Sequence, residues 1–300
     1  MNSFAFFGAL ETGFIFALVA LGVFISFRVL DFPDLTVDGS FPLGAATSAT
    51  LLVVGVHPVL ATLCACVSGA IAGLLTAWLN VRLHILHLLA SILTMIALYS
   101  INLRIMNGPN TPLLGVETIL SPIDQLDFLP YYIAYPIAFA VIAFSALLVV
   151  VSFLKSETGL AMRATGANPR MARANGVNTT KMIFLGMAIS NALVALAGSL
   201  FAQSQGSADV TMGVGIIVIG LASVIGGEAL LSTNTLLKWA FACILGSLLY
   251  RIVVAVALNG NVLGLQAQDL NLVTAILVTL AIVAPKLKAK FKHYLRGLKA

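Results

Sequence analysis

Charge is scarce in this chain. Only 9% of its 300 residues are Asp, Glu, Lys or Arg, against about 25% in a soluble domain. So few charges cannot solvate a whole protein surface, which excludes an ordinary soluble fold. Cysteine is rarer still. Cys64, Cys66 and Cys243 all lie in apolar stretches and read as small buried packing residues, and Cys64-Ala65-Cys66 has the wrong spacing for a zinc knuckle or redox pair. His57, His84, His87 and His293 are scattered, so no metal set is expected; His84 and His87 share a helical face but read as interfacial packing. No lysine follows a glycine. The phosphate-cradling G-x-x-x-x-G-K-[ST] loop is therefore missing, and the chain is not expected to be an enzyme or to hold a cofactor of its own. The first apolar segment lacks a basic front end and is too long for a secretory signal, so it reads as a span.

What is abundant is apolar sequence. Hydrophobic residues make up 60% and the mean hydropathy is +1.06. The pattern predicts an all-α membrane protein, a polytopic helical bundle of about nine spans near 4–28, 39–56, 57–80, 84–104, 131–154, 182–205, 211–230, 236–258 and 268–285. The second and seventh are rich in Gly, Ser and Thr and are candidates for broken or re-entrant segments, which survive at membrane depth only inside protein or along a cavity.

Charge placement orients the bundle. With the N-terminus outside, 14 of the 16 basic residues fall on the inner side: Arg28, Arg82, Lys155, Arg163, Arg170, Arg173, Lys181, Lys238 and a tail from Lys286 to Lys299. Arg104 and Arg251 fall outside, in keeping with the positive-inside rule. The basic tail follows a span, so it points to lipid headgroups rather than nucleic acid. Residues 1–300 form one domain with two long loops, 105–130 outside and 155–181 inside.

The inner loop is the most informative segment. Asn168 suits an N-cap, Pro169 the first helical position and Gly176 the position past the end. A short capped helix at the inner face suits a groove on a soluble partner. Ala164 and Gly166 permit close packing against the base of the spans. Ionisable residues in or near spans are the candidates for a solute path. Glu11 lies two turns into the first span, where it meets either interface water or a ligand's cationic group. Asp31, Asp34 and Asp38 flank the first break; Asp38 reads equally as a cap for its own helix, and the other two as partners for Arg28 or Arg82. Gln203 and Gln205 close the sixth span as rim groups or loop-edge residues.

The pattern Gly159-x-x-x-Arg163-Ala-x-Gly166-x-Asn168-x-x-x-Ala172-x-x-x-Gly176 resembles the ATPase-docking loop of ATP-binding-cassette importer permeases for branched-chain amino acids and simple sugars. Ala17 to Val23, Arg28 to Phe32, Phe41 to Ala45 and Val224 to Gly227 resemble other parts of that family, so the likeness covers nearly the whole chain. In place of the family's frequent Asn-Phe-Ala-His-Gly, this chain has Leu30-Asp31-Phe32-Pro33-Asp34 and onward to Gly39. That variant is similar to a branch associated with aromatic amino acid uptake. The resemblance implies a permease subunit in the bacterial inner membrane with a type II importer fold, one helix short at the N-terminus. It implies a second permease copy and a periplasmic or lipoprotein solute-binding protein. It also implies two ATPase subunits that carry ATP and Mg and dock through Glu157, Gly159, Arg163, Gly166, Asn168, Pro169, Arg170, Ala172, Arg173 and Gly176. Transport would be by alternating access, along the second, fifth and seventh spans. The rival class is an ion-coupled secondary transporter, whose inverted repeats and paired broken helices find only a vague echo here, between 31–42 and 206–215.

Overall fold

A computed structural model describes residues 3–124, 130–231 and 235–259, together with Thr279. The first helix, α1 (Ser3–Val23), runs on through a π-helical turn at Phe24–Val29. It is apolar on every side and fully buried from Ile15 to Leu21, as expected of a helix with no polar face. It is the central post of the bundle.

After α1 the chain turns back through residues 30–36 and enters α2 (Val37–Val53), then α3 (Pro58–Leu83) and α4 (His87–Met106). A short strand β1 (Asn110–Pro112) and a one-turn helix α5 (Ser121–Asp124) lie in the 105–130 loop. Next come α6 (Tyr131–Lys155), α7 (Glu157–Ala167), α8 (Pro169–Ala174) and α9 (Thr179–Gln205). Strand β2 (Ser207–Asp209) pairs antiparallel with β1, Thr111 opposite Ala208, and a 3-10 turn at Val210–Gly213 follows. The described helices close with α10 (Ile216–Leu230) and α11 (Leu236–Asn259). Helices α6, α9, α10 and α11 surround α1, while α2 is enclosed by α3, α4 and α9.

The packing is inverted relative to a soluble bundle. On α3 the large residues Leu63, Val67, Ile71 and Trp78 point outward, and Ala65, Gly69, Ala72, Gly73 and Ala77 point inward. A side chain at Gly69 or Gly73 would collide with the backbone of α9 at Asn191 or Met187. Small residues let helix backbones touch where lipid tails remove the hydrophobic drive to associate.

Among the described residues seven helical segments are long and apolar enough to cross a bilayer, where the sequence reading expects nine over the whole chain. The expected second span is α2, whose 17 residues reach about 25 Å, short of a ~30 Å hydrocarbon core. The expected ninth span at 268–285, like the basic tail, lies outside the described residues. The all-α expectation holds apart from the small β1–β2 ribbon. Cys64 is exposed on the outward face of α3, not buried; Cys66 is partly buried and Cys243 fully so.

Candidate functional site

Two places gather the residues singled out by the sequence. The first is an elbow made by α7 and α8. The Ser156 hydroxyl accepts the Gly159 N–H and caps α7. Asn168 is extended between the two helices, and its Oδ1 accepts the N–H groups of Arg170 and Met171, each at 3.1 Å. Pro169 opens α8; Gly176 ends it at φ +82°, a left-handed turn that costs other residues about 1–2 kcal/mol. Asn178 then caps α9 through the Lys181 N–H. Three side-chain caps within one connection make it rigid.

The elbow is seated on α1. A side chain at Gly166 would strike the Val29 carbonyl, and one at Gly159 would strike Phe153 and Leu154. Met162 is fully buried against Gly186, beside Leu30. Ala172 is buried as well, whereas Glu157, Arg163, Pro169, Arg170 and Arg173 are exposed. Met171, 65% exposed on α8, escaped the sequence reading. Once the helix frame is fixed with Ala172 inward, Met171 must point out.

The second place is a junction in the middle of the bundle. Residues 30–36 climb from the elbow end to the start of α2, which meets α9 at Asn191, roughly 18 Å along that helix. From the opposite end, residues 206–215 descend to the start of α10, and a side chain at Gly213 would collide with the Asp38 carbonyl. Helices α2 and α10 thus begin beside one another. Asp38 joins them: its carboxylate accepts the Ile217 N–H at 2.7 Å and the Gly215 N–H at 3.3 Å. One side chain near the start of α2 caps the start of α10 and sits against both positive helix ends.

The other acidic groups separate. Asp34 is buried, accepts the Thr36 N–H at 2.9 Å and takes a hydrogen bond from Asn191 Nδ2 at 2.8 Å. Ser40 donates to Asn191 Oδ1 at 2.7 Å, and the Thr36 hydroxyl meets that of Thr76 on α3 at 2.7 Å, so the buried polar side chains of the break are hydrogen-bonded. Asp31 is exposed, with φ +53°. Arg28 pairs with Glu228 of α10 at 3.0 Å rather than with Asp31 or Asp34 and lies over the Trp239 ring. Glu11 accepts a hydrogen bond from Ser204. Gln203 is buried, holding the Ile119 N–H and donating to Thr62 and Ser199, while Gln205 is exposed. His87 meets Phe32 edge-on at 4.3 Å. Among the described residues no group of three or more His, Cys, Asp or Glu converges on a metal position.

Beside the junction lies a pocket of about 440 Å³, walled by the first turn of α2, by α4 and by the 3-10 turn before α10. Helix α6, expected to line a path, is not part of it.

Residues 5–283 match the family described as branched-chain amino acid transport system / permease component. The chain belongs to that permease family. Relatives include a tyrosine transport system permease protein of Clostridioides difficile, 38% identical over 93% of this chain and 90% of its own. An uncharacterized protein of Rickettsia prowazekii is 34% identical over 93% and 96%. In three dimensions the chain is similar to PsaBC from Streptococcus pneumoniae, solved in complex with Fab, with a TM-score of 0.54 and 15% identity over 94% of this chain and 91% of that one; this likeness concerns the fold alone. The chain is thus a multi-pass membrane permease of an ATP-binding-cassette importer, a family whose members work with an ATPase and a solute-binding protein.

Proposed function

We propose that this permease passes an aromatic amino acid, received from a periplasmic or lipoprotein binding protein, across the bacterial inner membrane by alternating access. Two ATPase subunits dock on the elbow of each of two permease copies and supply ATP and Mg. The N-terminus faces the periplasm and the elbow faces the cytoplasm. The second copy packs against the exposed face of α4, so the junction pocket opens onto the shared axis. ATPase closure pushes α8, and the contact of Gly166 with the end of α1 carries the push into residues 30–36 and the α2–α10 junction.

The observation that carries this reading is the rigid, triple-capped elbow whose exposed side offers Arg170, Met171 and Arg173 while its buried side is keyed into α1. The aromatic solute draws on the tyrosine permease among the relatives. The experiment is purification of the tagged chain from its native membrane. Recovery with an ATPase and a binding protein, and tyrosine or tryptophan bound by the latter, is the expected result. Recovery of the chain alone in mild detergent would sink the reading.

One observation favours the ion-coupled reading. Two broken helices meeting by their N-termini at mid-bundle is a geometry secondary transporters use. The capped elbow has no task in such a carrier, and the importer family weighs against it.

A further inference from the structure

Asn102 lies near the end of α4, 0% exposed. Its Nδ2 donates to the Gly39 carbonyl at 3.3 Å, which fixes the orientation of the amide. Its Oδ1 is then left buried with no partner. An unsatisfied buried acceptor costs about 1–3 kcal/mol, and Asn102 stands in the pocket wall. Pro42, also in the wall, has no N–H to offer the Asp38 carbonyl one helical turn before it. The polar side of the pocket is therefore rich in acceptors.

Most of the remaining wall is apolar, from Pro42, Met95, Ile96, Val210, Val214 and the Tyr99 ring, with the hydroxyls of Ser100 and Thr211 among them. A volume of about 440 Å³ is at the small end of ligand sites. A ligand carboxylate would lose its water against such a wall and face the like charge of Asp38. A flat ring bearing one neutral donor fits both parts. Met95 and Tyr99 offer sulfur and aromatic contacts to its faces and edges.

We infer that this pocket is a transient subsite for the side chain of a donor-bearing aromatic amino acid, with the phenol O–H of tyrosine or the indole N–H of tryptophan donating to Asn102 Oδ1. The inference rests on the importer reading above and adds selection within the permease itself. Phenylalanine, lacking the donor, leaves Oδ1 unpaired. Sites built around a hydrogen bond reject the analogue that cannot make it.

The test is equilibrium binding of radiolabelled L-tyrosine and L-phenylalanine to the permease–ATPase complex in nanodiscs, without the binding protein. Wild type should prefer tyrosine by about tenfold or more. Asn102→Leu should bind the two alike, with phenylalanine affinity kept. Because that change also leaves the Gly39 carbonyl without its donor, a second variant is needed. Ile96→Trp, at a site 59% exposed, fills the pocket from its mouth and should lose both ligands while the complex still assembles. Retained tyrosine preference in Asn102→Leu, or retained affinity in Ile96→Trp, overturns the subsite. A wild-type complex that imports tyrosine yet shows no such binding overturns it too. A complete importer that carries no aromatic amino acid removes the solute assignment, and the subsite with it.

Discussion

The Asp38 carboxylate and the Ile217 N–H meet at 2.7 Å, across 179 positions of sequence. This bond ties the start of α2 to the start of α10 and closes the break that each helix leaves at mid-bundle. Asp38→Ala removes the cap from two N–H groups of α10. It should destabilise the purified protein by about 1–2 kcal/mol, read as a lowered Tm in detergent. Asp38→Asn, which keeps an acceptor, should lose less. Equal stability in both variants would show that the junction is held by packing alone.

Gly166 touches the Val29 carbonyl so closely that no side chain fits. Gly166→Val should therefore lift α7 off α1. Uptake by the reconstituted importer should fall at least tenfold, while ATP hydrolysis by the bound ATPase continues. If uptake and hydrolysis fall together and the ATPase no longer co-purifies, the contact serves docking and not transmission.

Met171 and Arg173 are exposed on α8, so changing them should spare the fold. Met171→Asp combined with Arg173→Glu should leave Tm within about 1 kcal/mol equivalent of wild type and abolish co-purification of the ATPase. An intact complex would relocate the docking surface.

Asn191 hydrogen-bonds to both Asp34 and Ser40. Asn191→Leu strands a buried carboxylate and should cost about 3 kcal/mol or more, seen as poor yield or a large Tm loss. The double variant Asn191→Leu with Asp34→Leu should recover part of that loss, since no charge is then buried alone. Absence of recovery in such a double-mutant comparison would mean that the network matters through Ser40 instead.

The energy source separates the importer from its rival. In whole cells, depletion of ATP with the ion gradients held should stop uptake. An ionophore with ATP maintained should leave it largely unchanged. The opposite pair of results would favour ion coupling.

Much of the elbow was legible because capping is local chemistry: Asn168, Pro169 and Gly176 announce a short helix wherever they occur in that order. Helix α7 was not, since Gly159 and Gly166 argue against a helix by propensity and only their contacts with Leu154 and Val29 explain them. The weakness of the 39–56 segment was visible as small polar residues in place of bulky apolar ones, and α2 proves to be only 17 residues long, whereas Val210–Leu230 is long and apolar enough to cross a bilayer. Their meeting at Asp38 was beyond reach, because a cap supplied from another helix leaves no trace in local spacing. Gln203, readable only as a polar residue ending a span, is buried and hydrogen-bonded to Ser199 of its own helix and to Ile119 and Thr62 from two other segments. Asn102 and Tyr99 gave no signal at all, since one polar residue near a span's end is commonplace.

The polar break before α2 also bears on how the chain enters its membrane. When α2 and α3 have left the ribosome, Asn191, which holds Asp34 and Ser40, has not been synthesised. Until then the Asp34 carboxylate and the Ser40 hydroxyl lack the partner that α9 supplies, at a cost of several kcal/mol for each unsatisfied group in lipid. The segment must wait at the surface or beside the insertion machinery until α9 arrives. Helix α2 is thus early in sequence but late in assembly, and α9 is the element whose synthesis allows the front half of the protein to settle.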